Sequence, residues 1–413
     1  MKLSNSLSIP EDIIEVCNAI ERFIQSEVIP RHERYAQILD EPLKRYQSDG
    51  SYVPQVRTLI KEIQMSSAQA GFYTMCVPKE LGGEGMGYLA WYMAWDRISR
   101  VCGGQYWLGN TMLAHWATGP SAVLQKLSSQ QKAECLPALM DGSKTLCFGM
   151  SEPDAGSDAL RMRTKAVKIE GGWKINGSKI WTTNSPYADY CILFAVTDVQ
   201  QTAAGKGISC FLVPTNSLGF EVQRIIKLWG HPGGNEAVLL FNDVFVPDEY
   251  LVGELNDGFS TAMLGVNLGR IYNSSRALAW GEASISMAFD YSKQRHAFGE
   301  KIANYQAVTF PLAESLMDIH CARVFALNVC RMLDEGQKIN EEMAIMKHQA
   351  VKASILAVER AMQAHGAIGM TNEMHLAEIY LTLRTLNIAD GTNEILKRTL
   401  VKSILSGKFN FGD

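Results

Sequence analysis

Residues 166–175 read Ala166-Val167-Lys168-Ile169-Glu170-Gly171-Gly172-Trp173-Lys174-Ile175. Short β-forming runs on either side of a glycine turn predict a hairpin. Further β-rich runs follow at Tyr190–Val196, Ile208–Val213, Phe220–Ile226 and Ala237–Val246, punctuated by Gly and Pro. No helical crossover separates them, so the pattern predicts a small antiparallel β domain.

Outward from this core the texture is helical. Upstream, Ile13, Ile14, Cys17, Ile20 and Phe23 recur at helical spacing, and helices are expected over Val56–Ala70 and Tyr88–Arg100. Between those two, Pro78 to Gly87 is broken by four glycines. Downstream, long helices are expected over Phe259–Arg295, Tyr305–Glu335, Glu341–Gly366 and Thr392–Ser406, as in a bundle. The expected plan is α+β: a helical domain at 1–135, a β domain at 136–255 and a helical bundle at 256–413.

The whole chain has 413 residues, 47% hydrophobic and 20% charged, as in globular proteins and unlike disordered chains. A net charge of −4 offers no basic excess for phosphates, so nucleic-acid binding is not expected. No apolar run approaches the roughly eighteen residues of a membrane helix. The start lacks the apolar stretch of a signal peptide. No two of the nine cysteines have the two-residue separation of a zinc knuckle or thioredoxin-type motif. Reduced core cysteines, a cytoplasmic location and no metal site are the expectations. No Gly-x-Gly-x-x-Gly follows a strand and no P-loop is present, which disfavours a nicotinamide-binding domain.

Four stretches could carry chemistry. Phe148-Gly149-Met150-Ser151-Glu152-Pro153-Asp154-Ala155-Gly156-Ser157-Asp158 exposes backbone N–H groups and hydroxyls, fit for a heterocycle edge or pyrophosphate, or simply a capped turn. Lys179-Ile180-Trp181-Thr182-Thr183-Asn184 sets a flat indole beside hydroxyls, fit for a stacked ring or for a sandwich core. Arg295-His296-Ala297-Phe298-Gly299, with Gln306 after it, reads as a phosphate-contacting Arg or a helix C-terminus. Asp390-Gly391-Thr392-Asn393-Glu394 reads as a carboxylate base on a turn or as a helix N-cap.

Taken in order and spacing, these stretches resemble the acyl-CoA dehydrogenase family of flavoproteins over nearly the whole chain. Gln363-Ala364-His365-Gly366-Ala367 joins the match, as do Val77-Pro78 through Gly83 and Phe241 to Pro247. The resemblance implies FAD held by Phe148, Met150, Ser151, Gly156, Ser157, Trp181, Thr182 and Thr183. It implies that Arg295, Phe298, Gln306, Gln363, Gly366 and Ala367 serve the FAD of a neighbouring subunit in a homodimer or homotetramer. Thr392 and Glu394 match further FAD-contacting positions, and Ser157, Arg270 and Gly391 are expected at the substrate. An electron-transfer flavoprotein is the expected electron partner.

The family usually carries Glu as catalytic base where this chain has Asp390, one methylene or about 1.5 Å shorter. The alternative base position of some branches is Gly269 here, followed by Arg270. Asp390 is therefore the expected base, taking the α-proton of an acyl thioester as the β-hydride passes to flavin. Alternatives are a flavoprotein oxidase, an acyl-carrier-protein-linked dehydrogenase of a biosynthetic pathway, and a flavin-binding relative with weak turnover.

Overall fold

The structure, a computed structural model, describes residues 8–228 and 233–409. Its helices are α1 Glu11–Phe23, α2 Ile29–Arg34, α3 Ala36–Leu39, α4 Pro54–Gln69, α5 Gly87–Cys102, α6 Ser129–Met140, α7 Gly258–Ser292, α8 Gln306–Asp334, α9 Asn340–His365, α10 Leu376–Leu386 and α11 Asn393–Leu405. The strands are β1 Leu146–Gly149, β2 Lys165–Ile169, β3 Gly172–Thr183, β4 Tyr190–Val196, β5 Ile208–Pro214, β6 Phe220–Ile225, β7 Glu236–Pro247 and β8 Leu251–Val252. A two-stranded ribbon, His296–Ala297 with Glu300–Lys301, follows α7.

The chain condenses into two compact units. One comprises Met1–Pro30, Met86–Asn110 and Gly269–Asp413, the other Arg31–Gly85 and Thr111–Leu268. In the first unit, α9 packs against α8, α10 and α11, and α5 packs against α1 and α8. The helical spacing read at the amino end is realised: Ile13, Cys17, Ile20 and Phe23 are the buried face of α1. A separate apolar cluster joins Ala277 and Trp280 of α7 to Val351 and Val358 of α9 and to Leu376, Ile379, Leu383 and Leu386 of α10. The sequence reading did not include α10. Its four anchors span one short helix that starts at His375 with φ +54° and no side-chain cap, so no start signal marks it.

Charge ties the same helices together. Arg100 pairs with Asp96 at 2.8 Å and Glu282 at 2.7 Å, and Arg323 reaches the same two carboxylates at 3.2 and 2.8 Å. The N–H groups of Tyr88 and Leu89, unpaired within α5, donate to the Asp334 carboxylate at 2.6 and 3.0 Å.

In the second unit, one sheet runs β6-β7-β3-β2-β4-β5-β8, with β1 added beside β4. The 166–175 hairpin is present, with Gly171 at φ +73° in its turn. The sheet is not purely antiparallel as expected: β1 and β2 both run parallel to β4. β1, a four-residue strand too short to show a period, arrives from α6 rather than through a hairpin, and β2 meets β4 on the edge away from its hairpin partner β3. All seven residues of β4 are buried. Ile192 and Phe194 face one apolar cluster, and Cys191, Leu193 and Ala195 face the other, as the two-residue strand period requires.

The loop after β1 is pinned by one buried ion pair. Lys179 Nζ, fully buried on β3, donates to Glu152 Oε1 at 2.8 Å and to Met150 O at 3.0 Å. Glu152 also accepts from the N–H groups of Arg163 and Thr164 at 2.5 and 2.9 Å. Burial raises the Glu152 carboxyl, but Lys179 and these donors outweigh it and hold it below the usual carboxylate range. Its contribution is therefore present above the unfolded carboxylate pKa and lost as pH falls through the lower folded one. Lys179→Met is expected to cost about 3–5 kcal/mol, because it strands a buried carboxylate. Urea unfolding of the variant checks this, and the loss should shrink in acid as Glu152 protonates.

Candidate active site

In the second unit, Phe148 is the last residue but one of β1. Its ring stands edge-on to Trp116 at 4.9 Å and lies 4.8 Å from Phe194. The chain then turns outward: Met150 and Ser151 are half-buried, and Gly156 and Ser157 are exposed. Ser151 O accepts from the Ile180 N–H at 2.9 Å, which sets the loop against β3. The register of β3 against β7 slips between Lys179 and Thr182. At that bulge Trp181 takes φ +60° and stays 54% exposed. A bulky residue with positive φ is a backbone outlier, and here it turns an indole out of the sheet. Thr182 is buried with its Oγ1 unpaired among the described residues, and Thr183 is half-buried. A Cβ added at Gly156 would meet no heavy atom within 4 Å. An exposed ring face, an unsatisfied hydroxyl and open space beside a glycine loop fit a flat heterocycle with a hydrogen-bonding edge.

In the first unit, Asp390 and Gly391 form a left-handed pair, with φ +53° and +96°. Asp tolerates this region better than longer side chains do, which gives a local reason for the shorter acid. The cap of α11 is Thr392, whose hydroxyl accepts from the Ile395 N–H at 3.2 Å. Asp390 is therefore free of the capping role that the sequence left open for this motif. Its carboxylate Oδ2 instead accepts from Asn273 Nδ2 at 2.6 Å.

Two buried cations hold the turn by its backbone. Arg270 Nε donates to Asp390 O at 3.1 Å, and Lys347 Nζ donates to Gly391 O at 2.9 Å. Arg270 is 6% exposed and Lys347 fully buried. A side chain at Gly391 would bring its Cβ to 3.3 Å from Arg270 Nη2, besides requiring a positive φ. Burial pushes Asp390 up to about 6, against the opposing pull of Lys347, Arg270, Arg276 and the Asn273 hydrogen bond. Burial likewise pushes Lys347 down to about 8 and Arg270 below its usual range. A carboxyl raised toward neutrality beside fixed cations is the environment of a general base.

The remaining expected residues of this unit are surface groups. Arg295, Gln306, Gln363, Gly366, Ala367 and Glu394 are exposed, and Phe298 is 98% exposed. The Arg295 stretch is more than a helix end: α7 stops at Ser292, and Phe298-Gly299, with φ +51° and +87°, makes the tip of the small ribbon. Sequence reasoning missed Asn273, Arg276 and Lys347. Lys347 carried a signal, since it falls on the apolar stripe of α9 between Met343 and Ala350–Val351.

Models of the acyl-CoA dehydrogenase N-terminal, middle and C-terminal domains match residues 10–143, 147–244 and 256–405. An acyl-CoA dehydrogenase of Bacillus subtilis is 33% identical over 82% of this chain and 88% of its own. The short-chain specific acyl-CoA dehydrogenase, mitochondrial, of Rattus norvegicus is 33% identical over 87% of each chain. Among solved structures, the acyl-CoA dehydrogenase of Geobacillus kaustophilus superimposes with a TM-score of 0.83 at 25% identity, over 96% of this chain and 98% of that one. Matched along all three domains and by relatives of this identity and coverage, the chain belongs to the acyl-CoA dehydrogenase family of FAD-dependent oxidoreductases.

Proposed function

We propose that this chain dehydrogenates an acyl-CoA thioester between Cα and Cβ, with Asp390 as the base. Flavin-dependent acyl-CoA dehydrogenation is the family's general reaction, and the surroundings of Asp390 carry the finer reading. FAD, held by the Phe148–Ser157 loop and the Trp181–Thr183 bulge, supplies the hydride acceptor. Asn273 fixes one carboxylate oxygen and leaves the other to take the α-proton. The Asp390 N–H donates to no group among the described residues, so it is available to the thioester carbonyl, where negative charge develops. Arg270 and Lys347 keep that N–H and the carboxylate on one rigid turn. An electron-transfer flavoprotein is the proposed electron acceptor.

Asp390→Asn keeps the Thr392 cap and a polar side chain but removes the base. It is expected to retain FAD and lose the rate of flavin reduction by about 10²–10⁴-fold, read by anaerobic stopped-flow absorbance. Near-parental reduction would show that Asp390 is not the base. In the parent, the ionised carboxyl is the active form and its pKa is raised, so kcat/KM should be half-maximal at about pH 6 and level off above it. Below that it should fall about tenfold per unit in a pH–rate profile.

Exposure supports the reading that Arg295, Phe298 and Gln306 serve the FAD of a second copy in a homodimer or homotetramer. A ring left 98% exposed on a left-handed tip gains nothing within its own chain. Arg295→Ala should weaken FAD binding by about 1.5–3 kcal/mol if a charge-assisted contact is lost. FAD titration followed by fluorescence, with sedimentation for assembly state, checks it; a monomer retaining stoichiometric FAD would exclude the shared site.

A further inference from the structure

The polar groups around Asp390 exceed what proton abstraction uses. One face of α7 presents Arg270, Asn273 and Arg276 at helical spacing. Arg270 and Lys347 are each committed to a carbonyl of the Asp390–Gly391 turn. Among the described residues, Arg276 is hydrogen-bonded to neither a carbonyl nor a carboxylate. Its Nη1 donates to the Tyr272 hydroxyl at 2.7 Å, and its plane lies 4.3 Å from the Tyr272 ring and 5.3 Å from that of Trp280. Its Nε–H is buried and meets no acceptor among the described residues.

The charge count points the same way. Three cations, Arg270, Arg276 and Lys347, act on the carboxylate of Asp390, and the exposed Glu394 offsets Lys347 from outside, which still leaves positive charge in excess. A hydrocarbon chain laid here would desolvate that excess further and leave the Arg276 donor unmet. Trp95 stands edge-on to Tyr272 at 4.6 Å and is fully buried, so the ring that carries the guanidinium is itself fixed in place. An anionic oxygen at the end of a short chain would meet both needs, and a planar guanidinium suits it.

Building on the Asp390 reading above, we infer that Arg276 is a specificity-determining residue that receives a carboxylate at the far end of a short acyl chain, so that the substrate is a dicarboxylic monothioester. Asn273, which holds the base, and Arg276 are one turn apart on α7, about 4.5 Å along the axis, the reach of roughly three carbon–carbon bonds. Chains of four or five carbons match that reach.

The test compares matched thioesters on the full FAD-loaded protein: succinyl- against butyryl-CoA, and glutaryl- against valeryl-CoA, with 5-hydroxyvaleryl-CoA as a neutral oxygen. Flavin reduction should favour the carboxylated member of a pair by about 10–100-fold in kcat/KM, the range of one charge-assisted hydrogen bond. Arg276→Leu should bring that ratio near unity, chiefly through the KM of the carboxylated member, and Arg276→Lys should restore part of it. Arg276→Gln gives the same reading if the Leu variant fails to fold. Equal rates within the parent's pairs, equal losses for both members in the variants, or 5-hydroxyvaleryl-CoA matching glutaryl-CoA would overturn the assignment and leave the dehydrogenase reading standing. If no thioester in the panel reduces the FAD that the protein binds, the dehydrogenase reading falls and this inference with it.

Discussion

Two cations taken out of water hold the Asp390–Gly391 turn in place. Arg270 and Lys347 reach the turn through its carbonyl oxygens, and no side chain of the turn has to reach back to them. A buried cation is costly unless dipoles or an opposite charge meet it. The turn meets both cations at once through two consecutive left-handed residues. That geometry calls for Gly at 391 and favours a short acid at 390. The carboxyl is then left among Asn273, Arg276 and the two cations, with burial and charge opposed. Backbone conformation, acid identity and proton affinity follow from one arrangement.

The second unit meets a similar demand in a different way. Its loop after β1 carries little apolar surface of its own, so the buried Glu152–Lys179 pair and two backbone donors fix it to β3. Lys179 lies at the start of the register slip that puts Trp181 into a left-handed conformation. The pair that anchors the loop and the bulge that turns the indole outward are thus two residues apart on one strand.

Bulky residues in left-handed backbone mark the sites. Trp181 and Phe298 have no local hydrogen-bonding reason to be there, unlike Asn184 or Asp243. Both remain largely exposed. Strain held at exposed aromatic residues gains nothing for the isolated chain, which accords with the roles proposed for them toward a flavin and a second copy.

The sequence alone determined the α–β–α order, because the texture of apolar residues changes from helical to strand-like near residue 136 and back near 256. It also determined the family, because four weak motifs occur in a fixed order. Tertiary structure decided what lies around Asp390. Arg270, Asn273, Arg276, Lys347 and Asp390 come from α7, α9 and the turn before α11, up to about 120 residues apart in the chain. No local pattern encodes their meeting. Choosing between cap and base at residues 390–392 likewise required coordinates, since Asp and Thr are both favoured caps on paper and only backbone geometry assigns the role to Thr392. The short strand β1 and helix α10 escaped for a related reason: elements so brief are held by their neighbours more than by their own pattern.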